Sequence, residues 1–337
     1  MIVMAFGKFI GQKEIKRRLS VMMQGEPSQS FLFTGPVGSG KRTIAGELAK
    51  ALVCENPTAD GACNNCNCCR YYDAGTLPDV VRLDGEESNI KVADVRRTVV
   101  SGSAMPPQIA RRKVFLIDCD KLNEEGQNAI LKSVEEPPAG AVFILMAADK
   151  SHLLPTILSR VIEFKLVGYS EEEIRSIVKT RYGDIDNGRL EFITDFSAGL
   201  PGKAIAMCED EEFGELRDKI FDIMIKMPEK SYTDILYDDF AFWDENKSRV
   251  DDLLVFMLWV IGDIAMMLKA PDSADIRYKD KKDEIRGMIS RHSYLSTTRL
   301  GNCATAVNEM IRGMNVNVNY ESACCSMLLK VHKELRQ

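Results

Sequence analysis

Short, largely hydrophobic runs recur through the first half of the chain. They occupy residues 31–33, 80–83, 114–118, 141–147 and 161–164, with a charged residue inside the second and fifth runs and at the end of the third. Runs of this length, rich in Val, Ile, Leu and Phe, are typical of strands that are buried on both faces. The segments between several of these runs carry apolar residues at helical spacing. Strands that alternate with helices favour an α/β fold in which helices cover a parallel sheet.

The pattern changes after residue 165. Residues 170–173, Ser-Glu-Glu-Glu, form a capping box that starts a helix, and residues 195–204 predict a turn followed by a short helix. From about residue 211 strand patterns are missing, and apolar residues repeat at intervals of three and four. We therefore predict an α/β domain over residues 1–165, a small helical module over 166–210 and an all-helical domain over 211–337.

The composition is that of an ordinary globular protein. The 337 residues carry a formal net charge of −6, which argues against a surface that is basic throughout and binds nucleic acid as a whole. The N-terminus lacks the basic stretch, apolar core and cleavage site of a signal peptide. The most apolar run, residues 253–261, is too short to cross a bilayer. We expect a cytoplasmic protein that does not engage a membrane.

A phosphate-binding loop follows the first predicted strand. Residues 35–41 read Gly-Pro-Val-Gly-Ser-Gly-Lys and lie between a strand and a helix, which is the context that such a loop requires. Its glycines let backbone N–H groups surround phosphate oxygens, and the helix presents its positive end to them. We expect Gly35, Gly38, Gly40 and Lys41 to form the cradle. The alternative is a structural turn that happens to contain glycines.

The metal corner of this loop is altered. Arg42 stands where a phosphate loop carries the hydroxyl that binds Mg²⁺. Thr43 comes one residue later, about 100° further around the helix, so its hydroxyl is expected to point elsewhere. The cation of Arg42 also disfavours a second cation nearby. The pattern therefore predicts a cradle that does not support hydrolysis.

The strand at residues 114–118 ends in Asp118, the position that holds the Mg²⁺ water shell in phosphate-loop ATPases. The next residue, often a glutamate that polarises the attacking water, is Cys119. Asp120 is two positions along and is not expected to replace that glutamate. The strand at residues 141–147 is followed by Ala148, where a phosphate-sensing hydroxyl or amide is absent. An Asp118 without any ligand is the alternative.

Four cysteines have the spacing of a metal site. They are Cys54, Cys63, Cys66 and Cys69, and successive C-x2-C steps of this kind close a tetrahedral S₄ site around Zn²⁺. Since no His or carboxylate joins them, we expect a closed structural zinc knuckle over residues 54–69. Cys68 is interpreted as a bystander. Free buried cysteines are the alternative.

Arg160 directly precedes the strand at residues 161–164. An arginine at this place could reach the phosphate of a neighbouring subunit. The alternative is a local salt bridge to Glu135 or Glu136, and periodicity alone favours that alternative.

Several motifs together resemble a known family. The phosphate loop, the four-cysteine motif and residues 128–138 (NAILKSVEEPP), 154–160 (LPTILSR) and 199–204 (GLPGKA) are similar to bacterial DNA polymerase III clamp-loader subunits of the gamma/tau and delta-prime types. The resemblance covers residues 5–210. It implies an AAA+-type phosphate-loop domain with a zinc-knuckle insertion, a helical lid and a C-terminal helical collar that oligomerises.

Within that family, the delta-prime type often has a degenerate nucleotide site. Arg42, Cys119 and Ala148, and a chain of 337 residues without a long extension, favour that type. The resemblance implies a stator-like subunit of the polymerase holoenzyme that does not hydrolyse ATP. Arg160 would act as an arginine finger in trans. Lys203, in the lid motif, joins the loop residues, Thr43 and Asp118 in the degenerate site, and whether ATP or ADP still binds there stays open.

The implied partners are gamma/tau ATPase subunits, a delta subunit, the sliding clamp and, through the assembled complex, primer-template DNA during DNA replication. Two other functions stay open. One is an active ATPase motor of the gamma/tau type, so whether the chain is itself an enzyme is undecided. The other is a zinc-dependent DNA-binding protein with a vestigial nucleotide fold.

Overall fold

The computed structural model describes residue 6 and residues 9–25, 29–83, 89–210, 212–271, 275–314 and 318–336. The chain divides into two compact units, an N-terminal unit (Met1–Cys208) and a C-terminal unit (Glu209–Gln337). The domain boundaries at 165/166 and 210/211 stay predictions, and residue 211 lies outside the described residues.

The N-terminal unit contains a parallel sheet of five strands in the order β2-β3-β4-β1-β5. The strands are β1 (Ser30–Thr34), β2 (Val80–Leu83), β3 (Lys113–Asp118), β4 (Ala141–Ala147) and β5 (Ile162–Lys165). The order requires crossover connections, which helices supply. The predicted α/β class is confirmed, and each predicted strand lies within about one residue of an observed one.

Nine helices of this unit surround or follow the sheet in the described residues. They are α1 (Lys13–Met23), α2 (Lys41–Val53), α3 (Asn67–Asp73), α4 (Val92–Val95), α5 (Glu124–Glu135), α6 (Pro155–Leu158), α7 (Glu171–Tyr182), α8 (Asn187–Ser197) and α9 (Pro201–Glu209). A π-helical turn, Arg96–Ser101, continues α4. The capping box at α7 is present, since Ser170 and Glu173 each accept a hydrogen bond from the backbone N–H of the other.

The sheet has a hydrophobic core on each face, which explains why its three inner strands, β3, β4 and β1, are largely apolar and buried. On one face Phe31 and Phe33 pack with Leu19 of α1 and Leu48 of α2. On the other, Leu32 belongs to the cluster that contains residues of α5 and α6. Because successive side chains of a strand point to opposite faces, β1, which lies between β4 and β5, is buried along its whole length.

In the described residues of the C-terminal unit, all regular secondary structure is helical. Its helices are α10 (Glu212–Lys226), α11 (Tyr232–Asp234), α12 (Phe240–Glu245), α13 (Val250–Lys269), α14 (Lys282–Arg291), α15 (Thr297–Met314) and α16 (Tyr320–Leu335). Trp243 and Tyr278 are among its largest fully buried side chains. Among the helices that the structure describes, none combines the length and the apolar character needed to cross a membrane.

Candidate nucleotide, metal and arginine sites

The predicted phosphate cradle is a tight loop between β1 and α2. Gly38 and Gly40 have φ angles of 81° and 90°, which a residue with a Cβ adopts only at a cost. Gly40 is the N-cap of α2, and no side chain caps the first N–H groups of that helix. The loop therefore has the backbone shape and the positive helix end that suit a phosphate.

Lys41 lies folded onto the loop itself. Its Nζ donates hydrogen bonds to the carbonyl oxygens of Gly35 (2.5 Å) and Pro36 (3.1 Å). The ammonium is partly buried there, and this burial lowers the pKa of Lys41. The structure thus brings Gly35, Gly38, Gly40 and Lys41 together, as the motif predicts.

Arg42 occupies the metal corner. Its Nη2 donates a hydrogen bond of 2.8 Å to Oδ2 of Asp118 at the end of β3. The Asp118 side chain is only 13% exposed, so this ion pair occupies a carboxylate that has little other access. Its other oxygen, Oδ1, accepts a longer hydrogen bond of 3.3 Å from the backbone N–H of Asp120. Thr43 is exposed on α2. The sequence predicts a cation beside Asp118, but not that the two groups pair directly.

Asp120 has a partner that the sequence pattern did not indicate. Its carboxylate accepts the backbone N–H of Ala148 at 2.7 and 2.9 Å. Ala148 follows β4. The Asp120 carboxylate therefore lies at the end of β4, the place where phosphate-loop ATPases carry a phosphate-sensing group. Cys119, between Asp118 and Asp120 in the sequence, is buried. Burial raises the pKa of its thiol, which keeps the thiol neutral.

The start of α9 lies directly against the phosphate loop. The backbone N–H of Gly202 donates a hydrogen bond of 2.8 Å to the carbonyl oxygen of Gly38. The backbone nitrogen of Lys203 also lies close to Gly38. The Lys203 ammonium lies 4.0 Å from the centre of the Phe196 ring. Tyr169, whose pKa is raised by burial to about 12, has its hydroxyl beside Gly40. The motif at residues 199–204 therefore contributes to the wall of the loop through its backbone.

The four cysteines of the predicted zinc knuckle come together between α2 and α3. The sulfur atoms of Cys54, Cys63, Cys66 and Cys69 all lie within 4.8 Å of one another, and the Sγ atoms of Cys54 and Cys66 are 3.9 Å apart. A tetrahedral zinc site with Zn–S bonds of about 2.3 Å has sulfur atoms roughly 3.8 Å apart. The spacing is therefore compatible with zinc, and the buried Cys68 is not part of this group.

Local hydrogen bonds favour the thiolate at Cys63, whereas burial raises the pKa of the Cys54 and Cys69 thiols. Backbone N–H groups of Asn65 and Cys66 lower the pKa of the Cys63 thiol to about 6. The N–H of Cys63 in turn points at Cys54 Sγ (3.3 Å), and that of Cys69 points at Cys66 Sγ (3.4 Å). Since thiolates are the ligand form of cysteine, these contacts suit a metal centre.

Arg160, between α6 and β5, makes the local ion pair that the sequence left open. Its Nη2 lies 2.7 Å from Oε1 of Glu135, the last residue of α5. Its Nη1 donates to the carbonyl oxygen of Thr156 (2.8 Å) and to the hydroxyl of Ser159 (3.0 Å). The Arg160 side chain is 33% exposed, so the guanidinium is held in a defined place at the surface.

Comparison with known proteins agrees with these features. The family model for "DNA polymerase III, delta subunit" matches residues 11–169. The chain is 29% identical to the DNA polymerase III subunit gamma of Buchnera aphidicola subsp. Schizaphis graminum over 311 residues, which cover 86% of this chain and 85% of that protein. It is 37% identical to the DNA polymerase III subunit delta′ of Pseudomonas aeruginosa over 142 residues, or 42% of this chain and 43% of that protein.

The chain is also similar to a solved structure at low sequence identity. A DNA polymerase III gamma subunit-related protein from Thermotoga maritima is 19% identical, with a TM-score of 0.49. The comparison covers 95% of this chain and 99% of the other.

Proposed function

We propose that the chain is a DNA polymerase III clamp-loader subunit of the delta-prime type, which its similarity to gamma and delta′ subunits supports. It does not hydrolyse ATP itself. It completes a ring with ATPase subunits of the gamma/tau type and a delta subunit, and it lends Arg160 to a neighbour's ATP site. The ring opens a sliding clamp for primer-template DNA in the cytoplasm during DNA replication.

The ion pair between Arg42 and Asp118 carries this proposal. Hydrolysis of ATP on a phosphate loop needs Mg²⁺, which the loop hydroxyl and the carboxylate at the end of β3 hold. Here the first group is replaced by a guanidinium, and that guanidinium bonds to the second at 2.8 Å. A metal ion at this corner would have to displace the Arg42 guanidinium from the Asp118 carboxylate.

Two further contacts support the absence of turnover. The residue that would orient the attacking water is the buried Cys119, whose neutral thiol is a poor base. The carboxylate of Asp120 is engaged by the N–H of Ala148 and adds negative charge at the strand end where a γ-phosphate would be sensed. The first leaves the attacking water without a base, and the second works against a developing negative charge on phosphate.

Arg160 supports a role outside the chain's own site. Arginine fingers supplied by a neighbouring subunit raise phosphoryl-transfer rates by about 10³–10⁵. Arg160 is partly exposed and belongs to a Ser-Arg pair at the end of α6, as the family motif requires. Zn²⁺ would be held by the four clustered cysteines in a structural role, where it closes the segment between α2 and α3.

The proposal is tested by substitution of Arg160 in the assembled loader. We expect Arg160→Ala to lower the rate at the neighbour's ATP site by about 10³ and so to reduce the ATPase rate of the complex, and Arg160→Lys to rescue it only in part. The isolated variants should unfold at the same temperature as the parent chain. An unchanged ATPase rate in the complex would contradict the proposed role.

An active ATPase of the gamma/tau type is the second candidate. The observation in its favour is the match to the Buchnera gamma subunit, which covers 85% of that protein at 29% identity. It requires Arg42 to leave Asp118 whenever Mg²⁺ and ATP bind. Turnover by the isolated chain that is lost in Lys41→Ala would establish it.

A further inference from the structure

Glu135 is the acidic partner of Arg160. We propose that Glu135 is a positioning residue, which holds the guanidinium of Arg160 in the orientation that it needs to meet a phosphate of the neighbouring subunit. The inference rests on the proposed function, because it gives Arg160 its role in trans. It assigns to Glu135 a part in the loader's ATPase reaction without any contact to ATP.

Three hydrogen bonds hold the guanidinium of Arg160 in place. Nη2 is held by Glu135 at 2.7 Å, and Nη1 by the carbonyl oxygen of Thr156 and the hydroxyl of Ser159. A guanidinium has five N–H groups. Among the described residues, three of these groups have acceptors, and two N–H groups remain for a ligand. Arg160 can therefore bind a phosphate oxygen while it keeps its three contacts.

The elements that carry Glu135 and Arg160 are themselves tied together. The buried side chain of Gln127, on α5, donates to the carbonyl oxygen of His152 and accepts the N–H of Leu154, both at 3.0 Å. These bonds attach the segment before α6 to α5. The carboxyl end of α5 is attached to the sheet in turn, since Ser30 Oγ donates to the carbonyl oxygen of Val134 at 3.1 Å.

These hydrogen bonds fix the relative backbone positions of Glu135 and Arg160 and so favour one geometry of their ion pair. An exposed salt bridge usually contributes little, because two long side chains must be ordered for it. Here the backbone positions on both sides are fixed by buried hydrogen bonds, so less freedom is lost when the pair forms. Pre-organisation of this kind lowers the entropy that a finger loses on meeting its phosphate.

The opposite role for Glu135 makes a different prediction. If the carboxylate restrained Arg160 and kept it from the neighbour, its removal would raise the ATPase rate of the complex. A positioning role predicts a decrease instead. Glu135→Gln keeps an amide oxygen that accepts the same hydrogen bond without the charge. A positioning role therefore also predicts that this variant keeps most of the ATPase rate.

The test is the ATPase activity of the loader assembled from this full chain and its partner subunits, at saturating ATP, clamp and primer-template DNA. A misplacement of about 1 Å costs on the order of 10² in rate, and Thr156 and Ser159 still hold Nη1, so we expect Glu135→Ala to lower kcat roughly tenfold. Glu135→Gln should restore most of the rate. The matched control is Glu136→Ala, which removes the same charge from the neighbouring exposed residue and should leave kcat unchanged.

A double-variant cycle separates a positioning role from a structural one. If Glu135 acts through Arg160, adding Glu135→Ala to Arg160→Ala should have no further effect. Equal loss of activity in both backgrounds, an unchanged kcat or a higher kcat for Glu135→Ala would each overturn the inference. These results leave the proposed function intact as long as Arg160→Ala alone lowers the rate. If Arg160→Ala has no effect, the proposed function and this inference fail together.

Discussion

The backbone N–H of Gly202 is bonded to the carbonyl oxygen of Gly38 at 2.8 Å. The first residue belongs to the motif at the start of α9 and the second to the tip of the phosphate loop. A Cβ placed on Gly202 would lie 2.7 Å from the Cα of Gly38, so glycine is needed for this approach. The contact joins the helical module to the loop within one compact unit.

Gly202→Ala should weaken this contact. Since the clash is with backbone, which cannot rotate away, we expect a loss of about 1–3 kcal/mol in the free energy of unfolding and faster hydrogen exchange over residues 199–204. The measurement is chemical denaturation combined with hydrogen exchange detected by mass spectrometry. Gly168→Ala is the matched control, because a Cβ there meets nothing within 4 Å. Equal behaviour of the two variants would show that the contact is not tight.

Arg42→Thr should restore a metal corner without harming the fold. The Arg42 side chain is 60% exposed, so its ion pair contributes no more than about 1 kcal/mol to stability. Removing the cation frees Asp118, and the new hydroxyl can bind Mg²⁺. We expect ADP to bind this variant more tightly with Mg²⁺ than with EDTA, as measured by calorimetry. Arg42→Lys, which keeps a cation, should gain no such dependence, and a gain in the lysine variant would refute the electrostatic explanation.

Cys66→Ser should release zinc from the chain. The Cys66 sulfur lies 3.9 Å from that of Cys54 and within 4.8 Å of all the other cluster sulfurs, so its loss leaves an incomplete S₄ site. Metal analysis of the purified protein should give one zinc per parent chain and much less for the variant. Cys68→Ser is the control and should keep its zinc, since Cys68 is outside the group. Zinc retained by Cys66→Ser would contradict the assignment.

Much of the fold is predictable from the chain because its inner strands are largely apolar runs. The run at residues 141–147 coincides with β4. A hydrophobic run of that length between turn formers is typical of a buried strand. The cysteine cluster is predictable for a similar reason. Its two C-x2-C steps impose a local geometry, and only Cys54 has to be brought in from a distance.

The details of the site depend on contacts between distant parts of the chain. Arg42 and Asp118 are 76 positions apart, and periodicity says only that each lies at an end of its element. Asp120 and Ala148 meet because β3 and β4 are neighbours in the sheet, with Asp118 opposite Met146. The choice between Glu135 and Glu136 for Arg160 depends on where α5 ends. Each of these pairs is decided by tertiary packing rather than by spacing.

The central claim is that this chain lends an arginine but does not hydrolyse ATP. The most direct test is the steady-state ATPase rate of the chain alone, and then of its partner subunits with and without it. We predict no turnover above background for the chain alone and a higher rate for the partners when the chain is added. Robust turnover by the isolated chain, lost in Lys41→Ala, would contradict the account and would identify an active motor subunit.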